Sequence, residues 1–350
     1  MKIQKRKVLA IGALAVSAGL MLSSCGSPGT TGGEGGGGGD GTARIGAFLL
    51  ASANAYAQQN MQGVKDAIEA DGNAEVTFFD GEFSGATQLA QIQDAIASGQ
   101  YDGFVVFVND GVAIIPGVEE ADEAGIPTVA AYAPIGEDIS TGEPQVAGVV
   151  GTVWHPNEPS GEALGELAIS ACAEEHPDAS PCKVAYISGG NTVLFEQAKL
   201  RAFEEIVGKA DRPIEIVAQQ EGNFLIEDSR TAAENILQAN PDVNVIAATA
   251  DQMTYGAQQA VEDAGLDNVS LVGIGASEEG VAAVDAGEWF GTTVFLPVDE
   301  GRLSTEMVLT AVRGGSVSQK NIELLDLSPI GAFYTRDTGG DFTPQWSSVG

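Results

Sequence analysis

From Ala43 onward, short apolar runs alternate with segments of helical period, and this alternation confines the chain to βα units wound around parallel sheets. The runs predict strands over Arg44 to Leu50, Glu75 to Phe79, Gly103 to Val108, Thr128 to Tyr132 and Val146 to Val150. A second series follows over Val184 to Ser188, Ile214 to Gln219, Val245 to Thr249, Ser270 to Ile274 and Thr292 to Leu296. Phe104-Val105-Val106-Phe107-Val108 lacks strict polar alternation, as expected of a strand covered by helices on both faces. Between the runs, the spacing predicts helices over Tyr56 to Ala70, Ala86 to Ser98, Val112 to Ala124, Ser160 to Ala173, Leu194 to Val207, Ile226 to Ala239, Gln252 to Ala264 and Val298 to Val312. Ala70-Asp71-Gly72, Glu123-Ala124-Gly125 and Asp263-Ala264-Gly265 place glycine where a left-handed cap closes a helix. No exact repeat is visible, yet both series share one grammar, so two similar α/β lobes are expected.

Ahead of this region stands a segment of different character. Lys2, Lys5, Arg6 and Lys7 precede the apolar run Val8 to Leu22, the pattern of an export leader and too short for a membrane span. Leu22-Ser23-Ser24-Cys25-Gly26 resembles the bacterial lipobox, which implies cleavage before Cys25 and a diacylglyceryl group on its sulfur. A chance cysteine after an ordinary cleaved leader is the alternative. Glycine dominates residues 26–42, which cannot bury apolar area and read as a flexible leash. No later stretch is long and apolar enough to cross a bilayer.

Beyond the leash lie roughly 310 residues, more than one core usually holds. A formal charge of −33, from 49 acidic against 16 basic residues, makes nucleic acid an improbable partner and reads as a solvated, self-repelling surface. With Cys25 assigned to lipid, Cys172 and Cys182 remain, and an oxidising compartment favours a disulfide between them over two buried thiols. His155 and His176 stand at no ligand-like spacing to these cysteines, so no metal or other cofactor is expected.

In doubly wound lobes, ligands lie beyond the carboxyl ends of the strands. That rule selects Ser52, Asn54 and Tyr56 after the first strand, Asn109 and Asp110 after the third, Tyr132 after the fourth, and Trp154 with His155 after the fifth. In the second series it selects Asn191 and Phe195, Asn223 and Phe224, Asp251, Ala276 and Ser277, and Phe295. Bland roles compete: Phe195 fills a core as readily as it meets ligand, Asp251 can cap the helix behind it, and His155 suits a hydrogen-bonded hinge.

The chain resembles the type I periplasmic binding proteins, in the branch that includes ribose-binding protein. The resemblance rests on Arg44-Ile45-Gly46, Met61-Gln62-Gly63-Val64, Glu123-Ala124-Gly125-Ile126-Pro127-Thr128-Val129, Ala239-Asn240-Pro241-Asp242-Val243, Ala250-Asp251-Gln252-Met253-Thr254-Tyr255-Gly256-Ala257 and Leu271-Val272-Gly273-Ile274-Gly275. It implies two lobes joined by a three-segment hinge near Trp154 to Asn157, near Leu296 to Val298 and after Asn321. The lobes would comprise 43–155 with about 298–322, and 156–297 with about 323–350. Ligand would lodge between them and favour a closed form that an ABC-type membrane permease recognises, with no chemistry performed.

Residue by residue, the resemblance carries Asn54, Tyr56 and Phe224 over as sugar-contacting positions. Elsewhere the chain departs from it. Tyr132-Ala133 stands where an Asp-Arg pair is common, Gln197 near an expected arginine, Ala250 in place of asparagine, Gly275 in place of aspartate, and Phe295 or Leu296 in place of glutamine. Loss of these strong hydrogen-bonding groups leaves an aromatic, neutral-polar pocket suited to a solute with apolar faces, such as a deoxy or substituted sugar, a nucleoside-like compound or a small aromatic. The expected protein is thus a monomeric, lipid-anchored, extracytoplasmic solute-binding protein of an importer. A ligand sensor for a membrane partner and a carboxylate-dependent hydrolase are the alternatives. No nucleophile elbow, phosphate loop or dinucleotide fingerprint supports an enzyme.

Overall fold

A computed structural model describes residues 41–338, 340 and 342–349; the leader, Cys25 and nearly all of the leash lie outside the described residues. Five strands open the described chain: β1 (Ala43–Phe48), β2 (Ala74–Phe79), β3 (Gly103–Phe107), β4 (Thr128–Tyr132) and β5 (Val149–Trp154). Five follow: β6 (Cys182–Ser188), β7 (Ile214–Glu221), β8 (Val245–Ala248), β9 (Ser270–Gly275) and β10 (Gly291–Val294). Two short strands, β11 (Asn321–Glu323) and β12 (Phe333–Thr335), come last. They form two six-stranded sheets, ordered β11-β5-β4-β3-β1-β2 and β12-β10-β9-β8-β6-β7. The winding is the same in both, and every pairing is parallel except β12 on β10.

Helices α1 (Ala55–Asp71), α2 (Gly85–Ser98), α3 (Ile115–Glu123) and α9 (Pro297–Val312) pack on the first sheet. On the second lie α4 (Asn157–Glu174), α6 (Ile226–Ala239), α7 (Asp251–Asp263) and α8 (Glu278–Ala286), while α5 (Leu194–Gly208) packs along α4. Both faces of β3, β4, β8 and β9 are therefore buried, which is why these strands read as unbroken apolar runs. Asn54 and Ser84 accept backbone hydrogen bonds at the starts of α1 and α2, and left-handed Gly72 and Gly99 end them. The chain passes between sheets three times: β5 to α4, β10 to α9, and β11 to β12.

The contact between α1 and α9 sets the position of one wall of the cavity between the sheets. A Cβ on Gly63 would collide with the backbone of Val298, and one on Gly301 with that of Asn60. Only glycine at both positions lets the helices approach closely enough to bring Glu300 beside Tyr56 and Asn60. Cys172 of α4 and Cys182 of β6 are joined, with Cα atoms 6.0 Å apart. Among the described residues, no helix is long and apolar enough to cross a membrane.

Three expectations require correction. The fifth strand begins at Val149, not Val146, because left-handed Gly148 turns the chain just before it. A nine-residue helix, α8, occupies the segment after β9, to which the sequence reading assigns no helix. The third helix starts at Ile115, since Asp110 holds the amides of Val112 and Ala113 in a turn.

Candidate functional site

Between the carboxyl ends of the two sheets lies a cavity of about 420 Å³, part of it open to solvent. Asn54, Tyr56 and Tyr132 come to it from the first sheet, and Phe195, Phe224 and Phe295 from the second. Tyr56 sits in the first turn of α1, whose amide at Ala57 is capped by the Asn54 side chain at 3.2 Å. The Tyr132 ring meets Tyr56 edge-on with centroids 5.9 Å apart, and Phe195 at 5.0 Å. Tyr132 ends β4 at φ +70, a conformation that costs a bulky residue on the order of 1–3 kcal/mol and that clusters at ligand sites.

A matched pair of loops guards the opening. Gly81-Glu82-Phe83 follows β2 and Gly222-Asn223-Phe224 follows β7, and in each the last two residues are left-handed, with φ between 50 and 55. Phe83 and Phe224 stack across the gap, centroids 5.8 Å apart and planes 20° from parallel. Phe83 remains 44% exposed, so the pair closes the cavity without sealing it.

Charged groups lie behind the aromatic lining. Glu300 is fully buried and accepts hydrogen bonds from the Tyr56 hydroxyl at 2.9 Å and Asn60 Nδ2 at 2.8 Å. Burial pushes its carboxyl up to about 8. Its Oε1 and Asn60 Oδ1 have no partners among the described residues. On the other side, buried Lys199 pairs with Glu196 at 2.8 Å, and Glu196 also accepts from Thr249 Oγ1 at 2.5 Å and the Gly189 amide at 2.7 Å. The Lys199 ammonium stands 5.3 Å from the Phe195 ring centre, 5.8 Å from that of Phe295 and 5.9 Å from that of Tyr132. Burial lowers its pKa, but the Glu196 charge and Tyr132 outweigh this, and the ammonium is held up at about 12. Burial pushes the Tyr132 hydroxyl to about 12 as well.

Several sequence-selected residues fall outside the cavity lining, each with a local structural partner. Asn109 Nδ2 donates to the Leu50 carbonyl at 3.1 Å, and Asp110 accepts from the Val112 and Ala113 amides. Asn191 Oδ1 accepts from Ser188, Gln197 donates to the Asn191 carbonyl at 2.8 Å, and Asn223 donates to Asp228 at 2.9 Å. Asp251 is buried and joins Thr292 Oγ1 to the Ser277 amide, at 2.7 Å each. Burial raises its carboxyl to about 6. Ser277 caps α8 through the Gly280 amide at 3.0 Å. Trp154 donates to Asn321 Oδ1 at 2.9 Å, and His155 accepts from the Leu296 amide at 3.0 Å while stacking on Phe295. These two bonds tie the three inter-sheet crossings together. Burial and then Lys199 hold the His155 imidazole down at about 3, so it remains neutral.

Conversely, the cavity recruits residues that sequence reasoning passed over: Gln252, only 4% exposed with an unpartnered Oε1, and Trp346, 3% exposed, together with Phe83 and Thr249. Gln252 directly follows Asp251 and could have been found by the same loop rule. Lys199, Glu196 and Glu300 lie on helices, where charges normally read as solvated. Among the described residues, no group of three or more His, Cys, Asp or Glu is arranged to hold a metal ion.

Comparison with known proteins agrees with this architecture. The family profile described as "Periplasmic binding protein domain" matches residues 45–316. The ribose import binding protein of Bacillus subtilis is 26% identical over 247 residues, 71% of this chain and 74% of the relative. The xylitol-binding protein of Mycolicibacterium smegmatis is 24% identical over 296 residues, 81% and 75% of the two chains. Among solved structures, an ABC transporter solute-binding protein from Bacillus halodurans with bound myo-inositol superposes with a TM-score of 0.73 at 20% identity, covering 86% of this chain and 97% of the other.

Proposed function

Since the chain belongs to the periplasmic binding protein domain family, we propose that it is an extracytoplasmic solute-binding protein that captures a small, neutral, sugar-like solute and delivers it to an ABC-type permease. One observation carries the reading: a cavity between two sheets, walled by aromatic rings from both, with neutral polar groups at Asn54, Thr249 and Gln252. Aromatic faces pack on C–H surfaces, while a few neutral donors and acceptors orient hydroxyls. The names and bound molecules of the relatives, ribose, xylitol and myo-inositol, support the polyol class. Both sheets contribute contacts, so bound solute stabilises the closed arrangement that a permease can distinguish from an open one. Leu22-Ser23-Ser24-Cys25 supports a lipid anchor on Cys25, and the same exported location suits a disulfide between Cys172 and Cys182.

The test is thermal unfolding of the purified protein with pentoses, hexoses, deoxy sugars, pentitols and inositols. One narrow class is expected to raise Tm, by an amount equivalent to about 2.7 kcal/mol at a hundredfold excess over Kd. No stabilisation by any of them removes the reading.

A further inference from the structure

The segment after β12 does not trail away from the fold. It returns across both sheets and places Trp346 in the cavity wall. Gln345 accepts the Val298 and Asp299 amides, at 3.1 and 3.2 Å, and donates back to Asp299 at 2.5 Å, thereby capping α9 of the first sheet. Ser347 and Ser348 bind Glu279 of α8 on the second sheet through three bonds of 2.6 to 3.0 Å. The Glu278 amide donates to the Trp346 carbonyl at 2.8 Å. Between these anchors the indole N–H donates to the Gly275 carbonyl at 2.8 Å, and the ring meets Tyr56 edge-on at 5.7 Å.

Gly275 completes the arrangement. A Cβ there would run into Cζ2 of the Trp346 ring, and φ at Gly275 is +148, which other residues rarely adopt. The place where a side chain would project from the end of β9 into the cavity is filled by an indole from 71 residues later. The family profile ends at residue 316, so this wall comes from outside the matched region.

We propose that residues 345–348 form a specificity element of the solute site, in which Trp346 fills the place where a side chain at Gly275 would project and selects a neutral sugar with one hydroxyl-poor face. The assignment rests on the solute-binding reading. Its polar counterpart is Gln252, which lines the same cavity and whose buried Oε1, without a partner among the described residues, can accept from a solute hydroxyl. A hydroxyl turned toward the indole face would lose its water without gaining a partner, whereas a C–H face would not.

The experiment is calorimetric titration of the full chain with D-fucose, D-galactose, D-ribose, xylitol and myo-inositol. D-Fucose and D-galactose differ by a single hydroxyl. We expect D-fucose to bind more tightly than D-galactose. Trp346→Ala and Trp346→Leu should weaken D-fucose binding about tenfold or more and narrow that preference, whereas Trp346→Phe, which keeps a flat ring, should stay within about threefold. The leucine variant preserves apolar packing, so it remains informative if the alanine variant does not fold. Binding by the wild type with unchanged affinity in the leucine variant overturns the role of Trp346 and leaves the solute-binding reading standing. Equal or inverted preference for D-galactose in the wild type overturns the hydroxyl-poor face. Absence of binding to all five sugars and polyols overturns both readings together.

Discussion

Two buried carboxylates stand behind opposite walls of the cavity in contrasting circumstances. Glu196, on the second-sheet side, has an ammonium at 2.8 Å and two further donors on its other oxygen. Glu300, behind Tyr56, has two neutral donors and no cation among the described residues. A carboxylate withdrawn from water keeps its charge only where another charge compensates it; otherwise it takes up a proton. The first site is thus an ion pair, while burial raises the second carboxyl to about 8. Both support the aromatic rings that line the cavity, one through Lys199 and the other through Tyr56.

The contrast can be challenged most forcefully at Lys199. Lys199→Met should destabilise the protein by about 3–5 kcal/mol in denaturant unfolding, because it leaves Glu196 buried without its cation. Adding Glu196→Gln should recover much of that loss. Less than about 1 kcal/mol lost in the single variant would show that water reaches the pair.

A smaller effect is expected at Glu300. With its folded-state carboxyl at about 8 and an ordinary unfolded value, the folded protein holds a proton that the unfolded chain has released. The stabilisation is present at low pH and is lost as pH rises toward and through about 8. Between pH 6 and 8 this amounts to about 2 kcal/mol, whereas the contribution of Asp251, raised to about 6, is spent mainly below that window. Glu300→Gln should flatten the decline in stability from pH 6 to 8. An unchanged slope would assign the decline to the acidic surface instead. The smallest effect belongs to an ion pair in water: removing Lys209, which meets Glu205 at 2.6 Å at the exposed end of α5, should leave unfolding unchanged within error.

Much of this architecture is legible in the sequence because it comes from periodicity. Apolar runs mark the interior strands, and the rule that ligands gather at strand ends leads directly to Tyr56, Tyr132, Phe224 and Phe295 at the cavity. The same rule overreaches with short polar residues. Asn109, Asp110, Asn223 and Ser277 occupy the right loops, but Asn, Asp and Ser also satisfy turn and cap amides, and that local demand places their side chains. Lys199 and Glu300 are hidden for another reason. Each sits among helical residues of mixed polarity, and only the packing of α5 and α9 beside the cavity turns those positions inward. Trp346 obeys no period at all; its place is set by Gln345, Ser347 and Ser348 bonding to helices distant in sequence.

The cross-bracing of the three crossings constrains mechanics as well as packing. Trp154 binds Asn321 and His155 binds Leu296, so the first crossing is fastened to each of the other two. Separate linkers would let the halves slide, twist and tilt independently. Fastened crossings resist sliding and twisting past one another, which favours rotation about a shared axis. Because the His155 imidazole stays neutral down to about pH 3, that axle keeps its fastening across the range in which Glu300 gains and loses its proton.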